Sequence, residues 1–229
     1  MYESSYLPVK WPEECAGKLH NVFAITTLTN GGVSRGDYKE YNLATHVGDD
    51  PVAVSANRAK LVEDLALPSQ PIWLDQVHSN TVYRIDDTVE CMPAGAIVKA
   101  DASSTDRAGI VCAVLSADCL PVFICDRSAT EVAVAHAGWR GLHRGIITST
   151  VRSLRAQPDE LLVSLGPAIG AMAFEVGEDV FLAFTEKDKN NASAFSATRD
   201  NHYLCDLYQL ARNELSSLGI NKISGGEYC

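Results

Sequence analysis

Apolar and polar positions alternate along this chain with a period that changes every few residues. Val22 to Leu28 is β-branched and apolar enough for a strand, and Asn30-Gly31-Gly32 breaks it. Asp50-Pro51 reads as a helix start, an Asp cap followed by Pro at the first helical position. Val54, Leu61, Val62 and Leu65 then share one helical face. Pro71 to Leu74 and Thr81 to Ile85 read as short strands on either side of His78. The run from Ile110 to Leu115 is continuously apolar, as expected of a strand buried on both faces.

Pro121 to Cys125 and Val132 to His136 are further strands, joined by the polar stretch Asp126 to Thr130. Leu142, Ile146, Ile147, Val151 and Leu154 recur at helical spacing until Gln157-Pro158 ends the helix. Leu161 to Leu165 is a strand closed by Gly166-Pro167. Asp206 caps a last helix carrying Leu207, Leu210, Leu215 and Leu218, stopped by Gly219. Hairpins mixed with helices predict an α/β (α+β-like) fold, layered, with central mixed β-sheets and outer helices.

Composition narrows this picture. The 229 residues are 46% hydrophobic and 21% charged, with no repeat, low-complexity tract or linker, which predicts a single domain over 1–229. A net charge of −10 argues against nucleic acid or an anionic membrane as partner, because phosphate attracts Lys and Arg. A few local Arg residues could still hold a small anion. No stretch approaches the ~20 apolar residues of a membrane span, and the start Met-Tyr-Glu-Ser-Ser-Tyr has no secretory signal pattern. The cysteines (Cys15, Cys91, Cys112, Cys119, Cys125, Cys205, Cys229) are odd in number and lack a Cys-x-x-Cys pair. That predicts reduced thiols and a cytoplasmic protein. Nothing in the sequence speaks to oligomeric state.

Three candidate metal ligands lie in strongly patterned segments: His78 in Gln-Val-His-Ser-Asn, Cys119 in Ala-Asp-Cys-Leu-Pro, and His136 in His-Ala-Gly-Trp-Arg-Gly. Three ligands of mixed nitrogen and sulfur type suit a catalytic zinc, which keeps a fourth position open. A hairpin turn centred between Arg127 and Ser128 would set Cys119 directly opposite His136, with Cβ atoms ~4.5–5.5 Å apart. The plain alternative is a buried thiol beside a core histidine. Asp118 before the cysteine and the polar segment around His78 place both at strand ends, where function concentrates.

Gly138-Trp139-Arg140-Gly141 joins a strand to a helix expected near Leu142, so free N–H groups and the Arg140 guanidinium would suit an anion. A tight turn needing glycine is the alternative. No Gly-x-Gly-x-x-Gly fingerprint occurs, which speaks against a nicotinamide enzyme. Asp101 with Thr105 could hydrogen-bond a hydroxylated substrate or simply cap a turn, and Asn42 and His46 are similar cases. His20, His143 and His202 have surroundings typical of surface residues.

The order Gly-Gly-Val-Ser (from Gly31), Tyr-Asn-Leu (from Tyr41), Gly-Asp-Asp-Pro (from Gly48), the three ligand motifs and Leu-Gly-Pro-Ala-Ile-Gly (from Leu165) resembles the YfiH-like, laccase-domain family. The resemblance implies a layered α/β fold and a zinc-dependent purine nucleoside phosphorylase that also deaminates adenosine. It puts the metal ligands on His78, Cys119 and His136, with copper as an in vitro substitute for zinc. Nucleoside (adenosine, inosine, methylthioadenosine) and phosphate would be its small-molecule partners. Asp118 and Arg140 are the catalytic candidates, and Asn42, Gln76, Asp101 and Arg140 the substrate-binding ones. Two departures stand out. Leu28-Thr29 replaces the family's Thr-Arg, removing an Arg from the substrate side, and the chain ends at Cys229 without the family's last aromatic and Arg-rich segment.

Bacterial members are also described as peptidoglycan editing factors, so the alternative is a metal-independent or metal-assisted hydrolase with Cys119 as nucleophile and His136 as base, cleaving an amide of a peptidoglycan precursor. A copper polyphenol oxidase is less compatible: multicopper sites need on the order of ten histidines, and this chain has 6. A metal-storage scaffold would bind metal without turnover.

Overall fold

Side chains in the run Leu120–Asp126 alternate between two cores. Leu120, Val122 and Ile124 point to one side, and Cys125 points to the other. This run is at the centre of the computed structural model, which describes residues 5–13, 19–86 and 97–229. Cys15 and Cys91 lie outside the described residues.

In chain order the elements begin with β1 (Tyr6–Pro8), β2 (Ile25–Thr27), α1 (Pro51–Asp64), β3 (Leu74–Asp75), β4 (Val82–Ile85) and β5 (Val98–Lys99). Next come β6 (Ala102–Thr105), β7 (Leu120–Asp126), β8 (Val132–Ala137), α2 (Trp139–Arg144), α3 (Ile146–Arg152) and β9 (Leu161–Leu165). The chain closes with β10 (Glu175–Gly177), α4 (Glu178–Lys187), β11 (Phe195–Arg199), β12 (His202–Cys205), α5 (Leu207–Ser217) and β13 (Ile223–Gly225).

Six strands form the main sheet in the order β13-β9-β7-β8-β6-β4. Its outermost pairings, β13 with β9 and β6 with β4, are parallel, and those between are antiparallel. The mixed α/β architecture with helices outside is as the sequence predicts. Leu142, Ile146, Ile147 and Val151 from α2 and α3 meet Leu207, Leu210 and Leu215 from α5 on one face of the sheet. Fully burying each such side chain stabilises the fold by ~1.5–3 kcal/mol. The other face is covered by Leu19 with Trp11 and Val22. Among the described residues no helix is long and apolar enough to cross a membrane.

Locally encoded elements appear where the sequence places them. The Asp50 carboxylate accepts from Val52 N at 2.9 Å and Pro51 opens α1. Asp206 caps α5 through Gln209 N at 3.0 Å. The expected Val22–Leu28 strand is only β2, three residues paired with β1.

Three expectations are corrected. Ile110–Leu115 is not a strand: it is half-buried, with one bridge between Ile72 and Cys112. The Gln76 side chain takes the part of a neighbouring strand there, donating to Leu115 O (2.8 Å) and accepting from Leu115 N (2.7 Å). The buried strand is β6, a polar run in which the Ser104 and Thr105 hydroxyls find partners within the fold. Ser153 Oγ donates to Ser104 Oγ at 2.9 Å, and Thr105 Oγ1 donates to Ile85 O at 3.1 Å.

The helix expected from Leu142 to Leu154 begins earlier, at Trp139, and is cut in two by Gly145. At φ 83° Gly145 adopts the left-handed conformation that ends α2, a region glycine enters without steric cost.

The β7–β8 turn is centred one residue later than expected, so that Pro121, not Cys119, faces His136. Asp126 anchors this turn by accepting from Ser128 N, Thr130 N and Glu131 N. The resulting two-residue shift keeps every side chain on its face, because strand side chains alternate with period two.

Candidate metal centre

The start of β6, the start of β7 and the end of β8 meet at one end of the main sheet, bringing Asp101, Cys119 and His136 together. The loop between β3 and β4 adds His78. The donor atoms of His78, Cys119 and His136 all lie within 4.8 Å of one another. Cys119 Sγ is 3.7 Å from His78 Nε2, and the two imidazoles meet edge to face with centroids 4.8 Å apart. His136 is buried, while His78 and Cys119 are half-buried, so the cluster is partly open to solvent.

Two of these loops hold backbone conformations that ordinary residues rarely adopt. His78 (φ 56°) and Asp118 (φ 73°) are both left-handed. Such conformations cost about 1–3 kcal/mol each and persist where neighbours enforce them. The His78 loop is held from both sides: Arg144 Nη1 donates to His78 O (2.9 Å), and Asn80 Nδ2 donates to Arg144 O (3.0 Å). In the other loop, Ser116 Oγ donates to Cys119 O.

Asp101 is fully buried. Its carboxylate accepts from Val77 N (3.2 Å), His78 N (2.9 Å), Ser79 N (2.6 Å), Ser79 Oγ (2.7 Å) and His136 Nδ1 (3.0 Å). Burial works against its charge, but the bonds from His136, Ser79 and Val77 outweigh burial and hold the carboxyl well below the usual range. Burial likewise opposes a proton on His136, yet Asp101 and Cys119 raise it to about 9. The half-buried His78 goes the other way, lowered by burial and by the neighbouring His136.

With Nδ1 of His136 engaged by Asp101, Nε2 is left for the cluster. A carboxylate behind the far nitrogen is the usual support of a metal-ligating histidine. Two imidazoles and one thiol, partly open to solvent, match the donor set of a catalytic zinc site. The residues fit the ion.

Of the other sequence candidates, Arg140 lies in the first turn of α2, exposed and stacked 4.3 Å over the Trp139 ring. Its charge reaches His78. Asp118 is exposed beside Cys119, and its carbonyl accepts from Ile169 N at 2.9 Å. Gln76 and Asn42, expected to bind substrate, have side chains engaged by the protein. Gln76 bonds Leu115, and Asn42 bonds Ala44 and Asp49 within its own loop. Asp101, also expected at substrate, has both oxygens turned to protein donors. His46 is exposed and outside the cluster.

Sequence reading missed Asn57, a fully buried side chain of α1 that binds Val33 N, Ser34 Oγ and the carbonyls of Glu40 and Asn42. Its position among apolar neighbours on the inner face of α1 is the signal that could have marked it.

The fold and cluster together define a mixed α/β domain with one three-donor group among the described residues. Residues 23–229 match the family described as multi-copper polyphenol oxidoreductase laccase, and the chain belongs to that family. Its relatives include the Escherichia coli purine nucleoside phosphorylase YfiH, 43% identical over 99% of this chain and 88% of that protein. A Pseudomonas aeruginosa purine nucleoside phosphorylase is likewise 43% identical, over 99% and 88% of the two chains. A Neisseria meningitidis protein of known crystal structure superposes with a TM-score of 0.90 at 43% identity, covering 99% of this chain and 88% of its own.

Proposed function

We propose that this protein is a zinc-dependent purine nucleoside phosphorylase, taking adenosine, inosine and methylthioadenosine, that also deaminates adenosine in the cytoplasm. The convergence of His78, Cys119 and His136 within 4.8 Å carries the reading, together with relatives named purine nucleoside phosphorylases. These three residues would hold the ion. When bound, zinc supplies Lewis-acid chemistry and acidifies a coordinated water to a pKa near ~7.

In phosphorolysis an oxygen of inorganic phosphate forms a bond to ribose C1′ as the C1′–N9 bond breaks, and the base leaves with the electron pair and takes up a proton. Arg140, exposed and without an ion-pair partner among the described residues, binds the phosphate. Asp118, exposed beside Cys119, handles the proton at the departing base. In deamination water adds at the purine ring and ammonia leaves, with Asp118 again moving the proton.

One observation favours a second reading. Cys119, His136 and Asp101 stand in the order nucleophile, base, orienting carboxylate, the arrangement of a cysteine hydrolase. Incubating adenosine and inosine with and without phosphate, with metal measured on the same sample, decides between them. Ribose 1-phosphate formed only with phosphate and zinc supports phosphorolysis. No turnover of either nucleoside, with amide cleavage in a metal-free sample, supports the hydrolase.

A further inference from the structure

Asp101 touches neither solvent nor the cluster's open side, yet one carboxylate reaches both histidines. Its Oδ1 accepts from His78 N (2.9 Å) and His136 Nδ1 (3.0 Å), while Oδ2 accepts from Val77 N, Ser79 N and Ser79 Oγ. Three consecutive backbone N–H groups therefore converge on one anion, which requires the left-handed turn at His78. The same anion fixes which nitrogen of His136 carries the proton toward the core. Cys119 is held separately, through Ser116. We propose that Asp101 is a positioning residue that sets both imidazole ligands, aligning the His78 loop and the His136 ring with a single carboxylate before the metal arrives. The inference rests on the zinc reading of this cluster.

The donor count shows why no isosteric replacement can stand in. An amide at position 101 has one acceptor oxygen and one NH2 group. With its oxygen at the Oδ2 place, the NH2 faces the donors of His78 N and His136 Nδ1. The histidine then relieves the clash only by carrying its proton on Nε2, where it cannot bind a metal. With the amide reversed, the NH2 faces Val77 N, Ser79 N and Ser79 Oγ, and the His78 loop loses its anchor. Either orientation disables one ligand, although volume and shape are unchanged.

The test is zinc affinity by chelator competition on the full chain, alongside the unfolding midpoint of the zinc-free protein. Asp101→Asn should weaken zinc binding roughly 10- to 100-fold, the range typical of partners that orient metal ligands. Ser79→Ala, which removes one of the five donors to the carboxylate and leaves the other four, should weaken zinc binding less than Asp101→Asn does. A folded Asp101→Asn protein that binds zinc as tightly as the unmodified chain overturns the positioning role. An unmodified chain that takes up no zinc overturns the metal reading and this inference with it.

Amide exchange on the unmodified, zinc-free protein is a second measurement that needs no variant to fold. The Val77, His78 and Ser79 amides should exchange slowly although they lie in a partly exposed loop. Rapid exchange there, slowed only by added zinc, would show that the metal and not Asp101 builds the site.

Discussion

Gly138 makes room for Cys119: a Cβ at position 138 would stand 2.7 Å from the Cys119 Sγ and 3.0 Å from the His78 Cδ2. Its backbone is in the ordinary extended region (φ −64°, ψ 161°), so the glycine answers to space and not to conformation. Gly138→Ala should therefore fold but push the thiol and the His78 ring apart. Overpacking of this kind costs about 1–3 kcal/mol, which, if it falls on the metal-bound state, is a loss of roughly 5- to 150-fold in zinc affinity. Metal content after dialysis against a weak chelator checks this. Full zinc retention would mean that the loops yield without disturbing the cluster.

Cysteine labelling separates ligand from nucleophile. Burial pushes the Cys112 thiol up to about 11 and the Cys205 thiol up to about 12, and Cys125 is fully buried, so all three should resist alkylation at neutral pH. Cys229 is exposed and should react in every state. Among the described cysteines, the change on adding zinc should therefore fall on Cys119, read by peptide mass mapping. Rapid modification of Cys119 in a zinc-loaded sample would favour the hydrolase.

Arg140→Ala should raise the phosphate concentration needed for nucleoside cleavage at least tenfold, about 1.4 kcal/mol. Deamination, which uses water, should suffer less. Steady-state kinetics of both reactions on one preparation make the comparison. Equal losses with zinc still bound would assign Arg140 to the nucleoside or to the fold.

The turn between β7 and β8 carries an acid-sensitive contribution to stability. Burial raises the pKa of Asp126, but the N–H groups of Glu131, Thr130 and Ser128 and the Thr130 hydroxyl outweigh it, and the folded-state value is lowered. A lowered folded pKa stabilises the protein above the unfolded value of ~3.9, and that stability disappears as pH falls through the folded value. Asp126→Ala should cost about 2–3 kcal/mol at neutral pH. Its urea midpoint should converge with that of the unmodified protein as pH drops below about 4. A gap that stays constant down to the acid transition would mean that the loss is one of packing.

The residues themselves determined the parts of this protein whose physics is local. Asp50-Pro51 and Asp206 are legible because a cap acts on N–H groups two or three residues away. Leu161–Leu165 is legible because a short apolar run between breaks has few other fates. The three donor motifs were legible by residue type and by their place at strand ends. The β7–β8 register was misjudged by two positions, yet His136 and Cys119 stayed on one face, since an even shift preserves the alternation.

Tertiary structure alone decided which runs enter the sheet. Ala102–Thr105 is polar yet lies inside the sheet, with Ser153 and Ile85 meeting the Ser104 and Thr105 hydroxyls, while the more apolar Ile110–Leu115 stays outside with Gln76 as its hydrogen-bonding neighbour. Asp101 could not be read correctly for the same reason. A carboxylate flanked by alanines looks like a turn cap until residues 22 to 35 positions away deliver their donors to it. A buried polar group is stable only when its partners are present, and those partners are assembled by the fold, not by the sequence around it.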